Sequence, residues 1–276
     1  MYNKFLIIAS KKDKAGVNIT TALSQFRKNP IWNLTQDAKG FDFYLREEEI
    51  ISDENLDIKK INNYDFIIFA SKHQSEAGGK TLSIHAPGNW REVNNDFGGK
   101  SGKICLTSAL FLKQTFEILN KNVKESDLDY QITLECTHHG PLIEKPCMFI
   151  EIGSREEQWN DRRAAFVIAK TINEIIENFE ENTCREIAVG IGGPHYCPNF
   201  NKIQLNSNVA ISHIIPQYVF PISEEMVKEA IIKTDEEIDF FILDWKGLGN
   251  SEEKQRVINI LERNYITYKR TSEIKK

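Results

Sequence analysis

The 276-residue chain has no long hydrophobic run. Its longest apolar stretches, such as Phe66-Ile67-Ile68-Phe69-Ala70, fall far short of the roughly 20 residues a membrane-spanning helix needs. No membrane partner is expected. The apolar residues after Met1-Tyr2-Asn3-Lys4 yield at once to Ser10-Lys11-Lys12-Asp13, too soon for the hydrophobic segment of a secretory leader. Cysteine is sparse: Cys105, Cys136, Cys147, Cys184 and Cys197 are odd in number, widely spread and form no CxxC pair. That argues against a disulfide framework or a Cys-rich structural zinc module and for a reduced, cytoplasmic protein. Positive charge is in deficit: Lys plus Arg total 35 against 40 for Asp plus Glu, a net charge of −5. This speaks against a generally basic protein that coats nucleic acid, though not against a local basic patch. Three catalytic signatures are missing as well. There is no GxSxG nucleophile elbow, no HExxH zinc helix and no GxxxxGK[ST] phosphate loop.

What is present is an alternation of β-rich apolar runs with helical segments. Strands are expected at 5–9, 41–45, 65–70, 81–85, 131–136, 148–152, 187–191, 209–215 and 238–243. Helices are expected at 16–26, 109–119, 223–233 and 251–264. A further helix is expected after Ser154, which pairs with Glu157 in a capping-box pattern and leads into apolar positions at helical spacing as far as Ile176. Strands alternating with helices of this length predict an α/β fold: a mixed, mostly parallel sheet with helices on both faces. No repeat, low-complexity linker or compositional break divides the chain, so one α/β catalytic domain over 1–276 is expected. The Gly- and Asn-rich stretch 86–103 reads as a mobile insert suited to a lid or substrate loop.

The six histidines carry most of the chemical information. His85 precedes Pro87-Gly88, His138 and His139 precede Gly140-Pro141, and His195 follows Gly192-Gly193-Pro194. His73 lies just beyond the 65–70 strand. Ligands of open α/β sheets sit beyond the carboxyl ends of strands, and imidazole is the ordinary side chain for proton transfer near neutral pH and a common metal ligand. The plain alternative for each His alone is a hydrogen-bonded turn residue. On a regular strand His138 and His139 face opposite ways; both reach one site only if the strand ends at Thr137 and Gly140-Pro141 redirect the chain. Glu135 is placed to orient a His or to act as a base. Lys72 stands at a strand exit, where it suits a phosphate or a substrate carbonyl. The Gly190–Tyr196 turn offers close backbone approach, and its Gly192 and Gly193 amides suit an oxyanion. Cys197, two residues past His195, is a weak further candidate as ligand or nucleophile.

Together, Thr137-His138-His139-Gly140-Pro141, Glu151-Ile152-Gly153-Ser154 with Trp159, and Gly190-Ile191-Gly192-Gly193-Pro194-His195-Tyr196 resemble the archaeal- and plant-type D-aminoacyl-tRNA deacylases. Ser71-Lys72-His73, His85-Ala86-Pro87-Gly88-Asn89 and Asp244-Trp245-Lys246-Gly247 fit the same family, and the matches run in order from about residue 5 to 265. The resemblance implies hydrolysis of the ester joining a D-amino acid to the tRNA 3′ end, zinc dependence, a fold similar to phosphorylase and peptidyl-tRNA hydrolase folds, and a monomer. An aminoacyl ester is already activated, so water polarised by a metal or by a His base suffices. On this view His138, His139 and His195 are the expected zinc ligands. Glu135, His138, His139, Lys72 and His73 form the catalytic set. His85, Asn89, Gly192, Gly193 and Tyr196 bind substrate. Selection of the D form requires a pocket that clashes with an L side chain. The rivals are a peptidyl-tRNA hydrolase or phosphorylase-like enzyme and a non-catalytic tRNA-binding module. With a net charge of −5, tRNA must be held through a small phosphate footprint with a shallow salt dependence. The basic residues expected there are Lys11, Lys12, Lys14, Lys72, Lys100, Lys103, Arg155, Arg162 and Arg163.

Overall fold

A computed structural model describes residues 2–27, 38–76, 78–91, 97–181 and 185–275. In chain order its elements are β1 (Lys4–Ser10), α1 (Lys14–Leu23), β2 (Gly40–Arg46), α2 (Ile58–Ile61), β3 (Phe66–Gln74), β4 (Thr81–His85), β5 (Gly88–Asn89), β6 (Lys103–Ile104), α3 (Ala109–Glu125), β7 (Gln131–Leu134), β8 (Cys147–Ser154), α4 (Glu156–Trp159), α5 (Arg162–Asn178), β9 (Glu186–Ile191), α6 (Pro198–Asn206), β10 (Val209–Ile215), α7 (Glu224–Ile232), β11 (Phe240–Leu243), α8 (Ser251–Arg263) and β12 (Tyr268–Arg270).

The α/β class is as expected, but the strands divide between two main sheets. One has the order β2-β1-β3-β8-β4-β7, in which β4 meets β8 antiparallel and the other pairs are parallel. The other, β10-β9-β11-β12, is parallel throughout. Helix α3 lies between them, touching α5 on one side and β10 and α6 on the other. One face of β1, β3 and β8 packs on α1, α3 and α5 around Phe5, Phe66 and Phe111. The opposite face carries Leu6, Ile8, Ile67, Phe69 and Phe149 under Ile61 of α2 and the nearby loops. The second sheet buries Val189, Ile191 and Phe241 against α7 and α8. Each large side chain removed from water in these layers contributes about 2 kcal/mol.

The helices begin where side chains satisfy free backbone N–H groups. Asp13 accepts from Ala15 and Gly16, and Asp161 from Arg163 and Ala164. Gly16 permits the close approach of α1 to β3, since a Cβ there would stand 2.7 Å from the Ala70 carbonyl oxygen. The expected Ser154–Glu157 capping box does not form. Ser154 is the last residue of β8 and donates to Gly79 O. Gln158 instead accepts from Arg155 N–H, and the long helix restarts at Asp161. Helix α6 escaped the sequence reading although Pro198 at its first turn is a start signal. In the 86–103 stretch, β5 pairs antiparallel with β6 and Asn89 donates to Gly98 O, while residues 92–96 lie outside the described residues, as does Cys184. Among the described residues no helix is long and apolar enough to cross a membrane.

His213 stands apart from the other histidines, inside β10 and fully buried, between Thr137 Oγ1 at 3.1 Å and the Lys233 carbonyl oxygen at 2.9 Å. Burial pushes its pKa down to about 4. Between about 4 and the ordinary 6.5 the unfolded chain therefore binds the extra proton, and stability falls as pH drops through that window. The loss is at most about 3 kcal/mol. Urea midpoints at pH 7 and pH 4.5 should separate further for the native chain than for His213→Gln. Equal separations would contradict the assignment.

Candidate active site

Alternation along three neighbouring strands puts the polar side chains on one face of the first sheet. Ser71 of β3 and Ser83 of β4 both stand in register with Glu151 of β8, His73 with Gly153, and His85 with Phe149. The His85 ring lies parallel to that of Phe149, centroids 5.1 Å apart. Strand β7 stops at Leu134, so Glu135 is the first residue beyond it, tied to the sheet through its N–H to Ile84 O. Cys136 and Thr137 then bond across to His195 O and Ile214 O, which brings the carboxyl end of β9 to the first sheet.

Glu135 is the hub. It is 2% exposed; Oε1 lies 3.1 Å from His73 Nδ1, and Oε2 lies 3.1 Å from His195 Nε2 and 3.4 Å from His138 Nε2. Glu151 Oε2 lies 3.6 Å from His85 Nε2 and 3.7 Å from His73 Nδ1. His138 and His139 do reach the same site, their centroids 4.3 Å apart. The backbone explains this: His139 adopts φ +44, a left-handed conformation that cancels the strand alternation. Tyr196 Oη meets His73 Nε2 at 2.8 Å, and Cys136 Sγ lies 2.9 Å from Tyr218 Oη and 3.5 Å from His195 Nδ1.

The electrostatics separate two kinds of histidine. Burial and the His85 ring push His139 down to about 3, and burial with the same neighbour drives His138 well below its ordinary value. Both are neutral. Burial opposes the charge on Glu135, yet the His195 hydrogen bond and the His73 and His85 rings hold its pKa at about 2. Burial likewise opposes a charged His195, but Cys136 and Glu135 raise it to about 10. Glu135 and His195 thus form an ionised pair.

The donor set fits a bound zinc ion. His85, His138 and His139 each place Nδ1 on a backbone carbonyl oxygen, at 3.2, 2.8 and 2.7 Å. These contacts assign the proton to Nδ1 and leave a lone pair on each Nε2, the ligating form. Lone pairs of His85 and His138 then confront carboxylate oxygens with no proton between them. His85 Nε2, Glu135 Oε1 and Glu151 Oε2 are buried without a hydrogen-bond partner, which is costly unless a cation satisfies them. Nitrogen and oxygen donors of this kind suit zinc. The expected trio of His138, His139 and His195 is divided, however. The tight donor groups among the described residues are His85-His138-His139, Cys136-His138-His195, His73-Glu135-His195 and His85-Glu135-Glu151.

A cavity of about 770 Å³ opens beside this cluster, and Lys72, His73, His138, His139, Glu151, Trp159 and His195 line it. Lys72 Nζ is 3.1 Å from Glu49 and 5.6 Å from the Trp159 ring centroid. Other expected substrate residues are elsewhere. Asn89 is buried against Gly98. The Gly192 and Gly193 amides are not free to hold an oxyanion, because they donate to Ile215 O and Gly247 O at 2.8 and 3.1 Å. Their glycines serve close packing instead: a Cβ on Gly193 would stand 2.9 Å from Asp244 Oδ2. Cys197 is buried and donates to the His195 carbonyl oxygen at 3.2 Å, outside every donor group. Glu151, Cys136 and Tyr218 received no role from the sequence. The signal for Glu151 was present, since a carboxylate inside Cys147-Met148-Phe149-Ile150-Glu151-Ile152 must be paired to be buried.

Residues 60–269 match the family model described as D-aminoacyl-tRNA deacylase. Curated proteins of that name include one from Thermococcus onnurineus, 35% identical with 88% of this chain and 91% of the relative covered. One from Methanocaldococcus jannaschii is 32% identical, with 97% and 99% covered. The crystal structure of a conserved protein of unknown function superimposes with a TM-score of 0.85 at 29% identity and covers 99% of both chains. By sequence, over most of its length, the chain belongs to the D-aminoacyl-tRNA deacylase family.

Proposed function

We propose that this site hydrolyses the ester between a D-amino acid and the 3′ end of tRNA, returning free tRNA and excluding the D-amino acid from translation. The observation that carries the proposal is the buried Glu135 carboxylate, ringed by His73, His138 and His195, which themselves line an open cavity. The ester carbonyl enters the cavity and a water attacks it. The attacking water gives its proton to the Glu135–His73 pair, which Tyr196 holds in place through His73 Nε2. The Lys72 ammonium faces the charge that develops on the carbonyl oxygen. Protonated His195 is placed to return a proton to the departing 3′ oxygen. His85, His138 and His139, with Glu135 and Glu151 facing them, would hold zinc. When bound, zinc supplies Lewis-acid activation of water near neutral pH.

The same proposal takes the enzyme as a cytoplasmic monomer, and the free state of Cys105, Cys136, Cys147 and Cys197 supports a reducing compartment. Matched D- and L-aminoacyl-tRNA, assayed with and without a chelator, test the function. Release should favour the D form and fall by about 100-fold or more on metal removal, with recovery on adding zinc. Comparable release from both enantiomers would sink the chirality claim. Preference for N-acetylated substrate would favour a peptidyl-tRNA hydrolase, a phosphate requirement a phosphorylase-like enzyme, and binding without turnover a non-catalytic module.

A further inference from the structure

The basic residues expected to meet tRNA are mostly engaged within the protein. Lys11, Lys12 and Lys14 pair with Glu47, Glu48 and Glu156, while Lys72 and Lys103 pair with Glu49 and Glu229. Arg155 and Arg163 donate to the carbonyl oxygens of Glu76 and Ser126. An ion pair of this kind offers little net attraction to an incoming polyanion.

A different place concentrates unpaired positive charge. Beyond the carboxyl ends of β9, β11 and β12 lies a second cavity of about 470 Å³, lined by Lys202, Lys246, Arg270 and Lys275. Among the described residues no carboxylate pairs with Lys202, Lys246 or Lys275, and all three are exposed. The Arg270 guanidinium stacks on Trp245, 3.9 Å from the ring centroid, which orients its donors. The one carboxylate in the lining, Asp244, is 4% exposed and committed to its own turn: Oδ2 accepts from Asn199 at 3.0 Å and Oδ1 from Gly247 at 3.4 Å. In a chain of net charge −5, four cations thus meet here around one committed carboxylate.

The patch is joined to the reaction centre by a short path. Strand β9 ends at Ile191; the next turn packs Gly193 against Gly247 and Asp244, then delivers His195 to Glu135. His195 and the patch therefore arise from the same carboxyl edge of the second sheet. We propose that this groove holds phosphodiester groups of the tRNA acceptor arm while the 3′ end occupies the catalytic cavity. The inference rests on the deacylase function and adds the surface that selects tRNA over a small ester. Four cations make a small footprint, in keeping with the shallow salt dependence expected from composition. Each phosphate contact contributes about 0.7–0.9 to the slope of log K against log salt.

The triple variant Lys202→Ala, Lys246→Ala, Lys275→Ala tests this. Affinity for uncharged tRNA, measured across a salt series, should fall about 10-fold or more near physiological salt, and the salt slope should become shallower by about 2. KM for D-aminoacyl-tRNA should rise in parallel, with kcat and the hydrolysis of a D-aminoacyl-adenosine fragment unchanged. An unchanged tRNA affinity and salt slope would overturn the inference. So would an equal loss on the fragment, or lost affinity for polyglutamate with tRNA binding intact, which would mark a protein-docking surface. Failure of the deacylase function itself looks different: the native chain would turn over neither substrate, while tRNA binding would still report on the groove.

Discussion

Glu135→Gln is expected to lower kcat/KM for D-aminoacyl-tRNA by about 1,000-fold or more while leaving the protein folded. The substitution keeps the shape of the side chain and removes its charge. Three imidazoles converge on that charge, and His73, His138 and His195 carry it to the cavity wall; general-base catalysis alone is worth roughly 10²–10⁴-fold. The same change should lower zinc affinity, since Glu135 Oε1 is one of the buried atoms without a hydrogen-bond partner. Stability in the absence of metal should fall, because the substitution leaves protonated His195 without its buried carboxylate partner. Near-normal kcat/KM, with circular dichroism confirming the fold, would remove Glu135 from the mechanism.

Phe111→Ala is expected to cost about 3–5 kcal/mol of stability, a drop in Tm of roughly 10 °C for a chain of this size. Phe111 is fully buried on α3, with the rings of Phe66 at 4.1 Å, Phe179 at 5.0 Å, Phe5 at 5.8 Å and Tyr2 at 6.1 Å. Truncation opens a cavity at the junction of α3 with the first sheet, where rigid neighbouring rings and strands leave little scope for collapse. Residual kcat/KM below the melting transition should stay close to normal, because no Phe111 neighbour belongs to the His–Glu cluster. A loss under about 1 kcal/mol would show that the aromatic cluster repacks.

Much of the local chemistry was legible. The placement of His73, His85, His138, His139 and His195 near strand ends follows from the Gly and Pro residues that close the strands, and all five reach one cluster. The possibility that His138 and His139 share a site was visible in the Gly140-Pro141 turn, but the left-handed backbone at His139 was not. Histidine enters that region more readily than most non-glycine residues but still uncommonly, so local propensity alone does not announce it. The oxyanion role expected of Gly192 and Gly193 failed for a related reason. Glycines free the backbone, but which carbonyl oxygen then occupies the amide depends on Ile215 and Gly247, which belong to other elements.

The sequence by itself determined the α/β class, the strand-end histidines, the unsuitability of the chain for crossing a membrane as a helix, and the family. These rest on periodicity and short motifs, which are properties of neighbouring residues. Only the tertiary structure decided that the strands form two main sheets with α3 between them. It alone decided that Glu135 and Glu151 face one another's histidines, that His138 is shared between donor groups instead of completing a trio with His139 and His195, and which lysines remain unpaired. Each of these depends on strand order, register and side-chain distances across many tens of residues, as between His73 and Glu135. Such distances are set by packing the whole chain at once, and no local pattern encodes them.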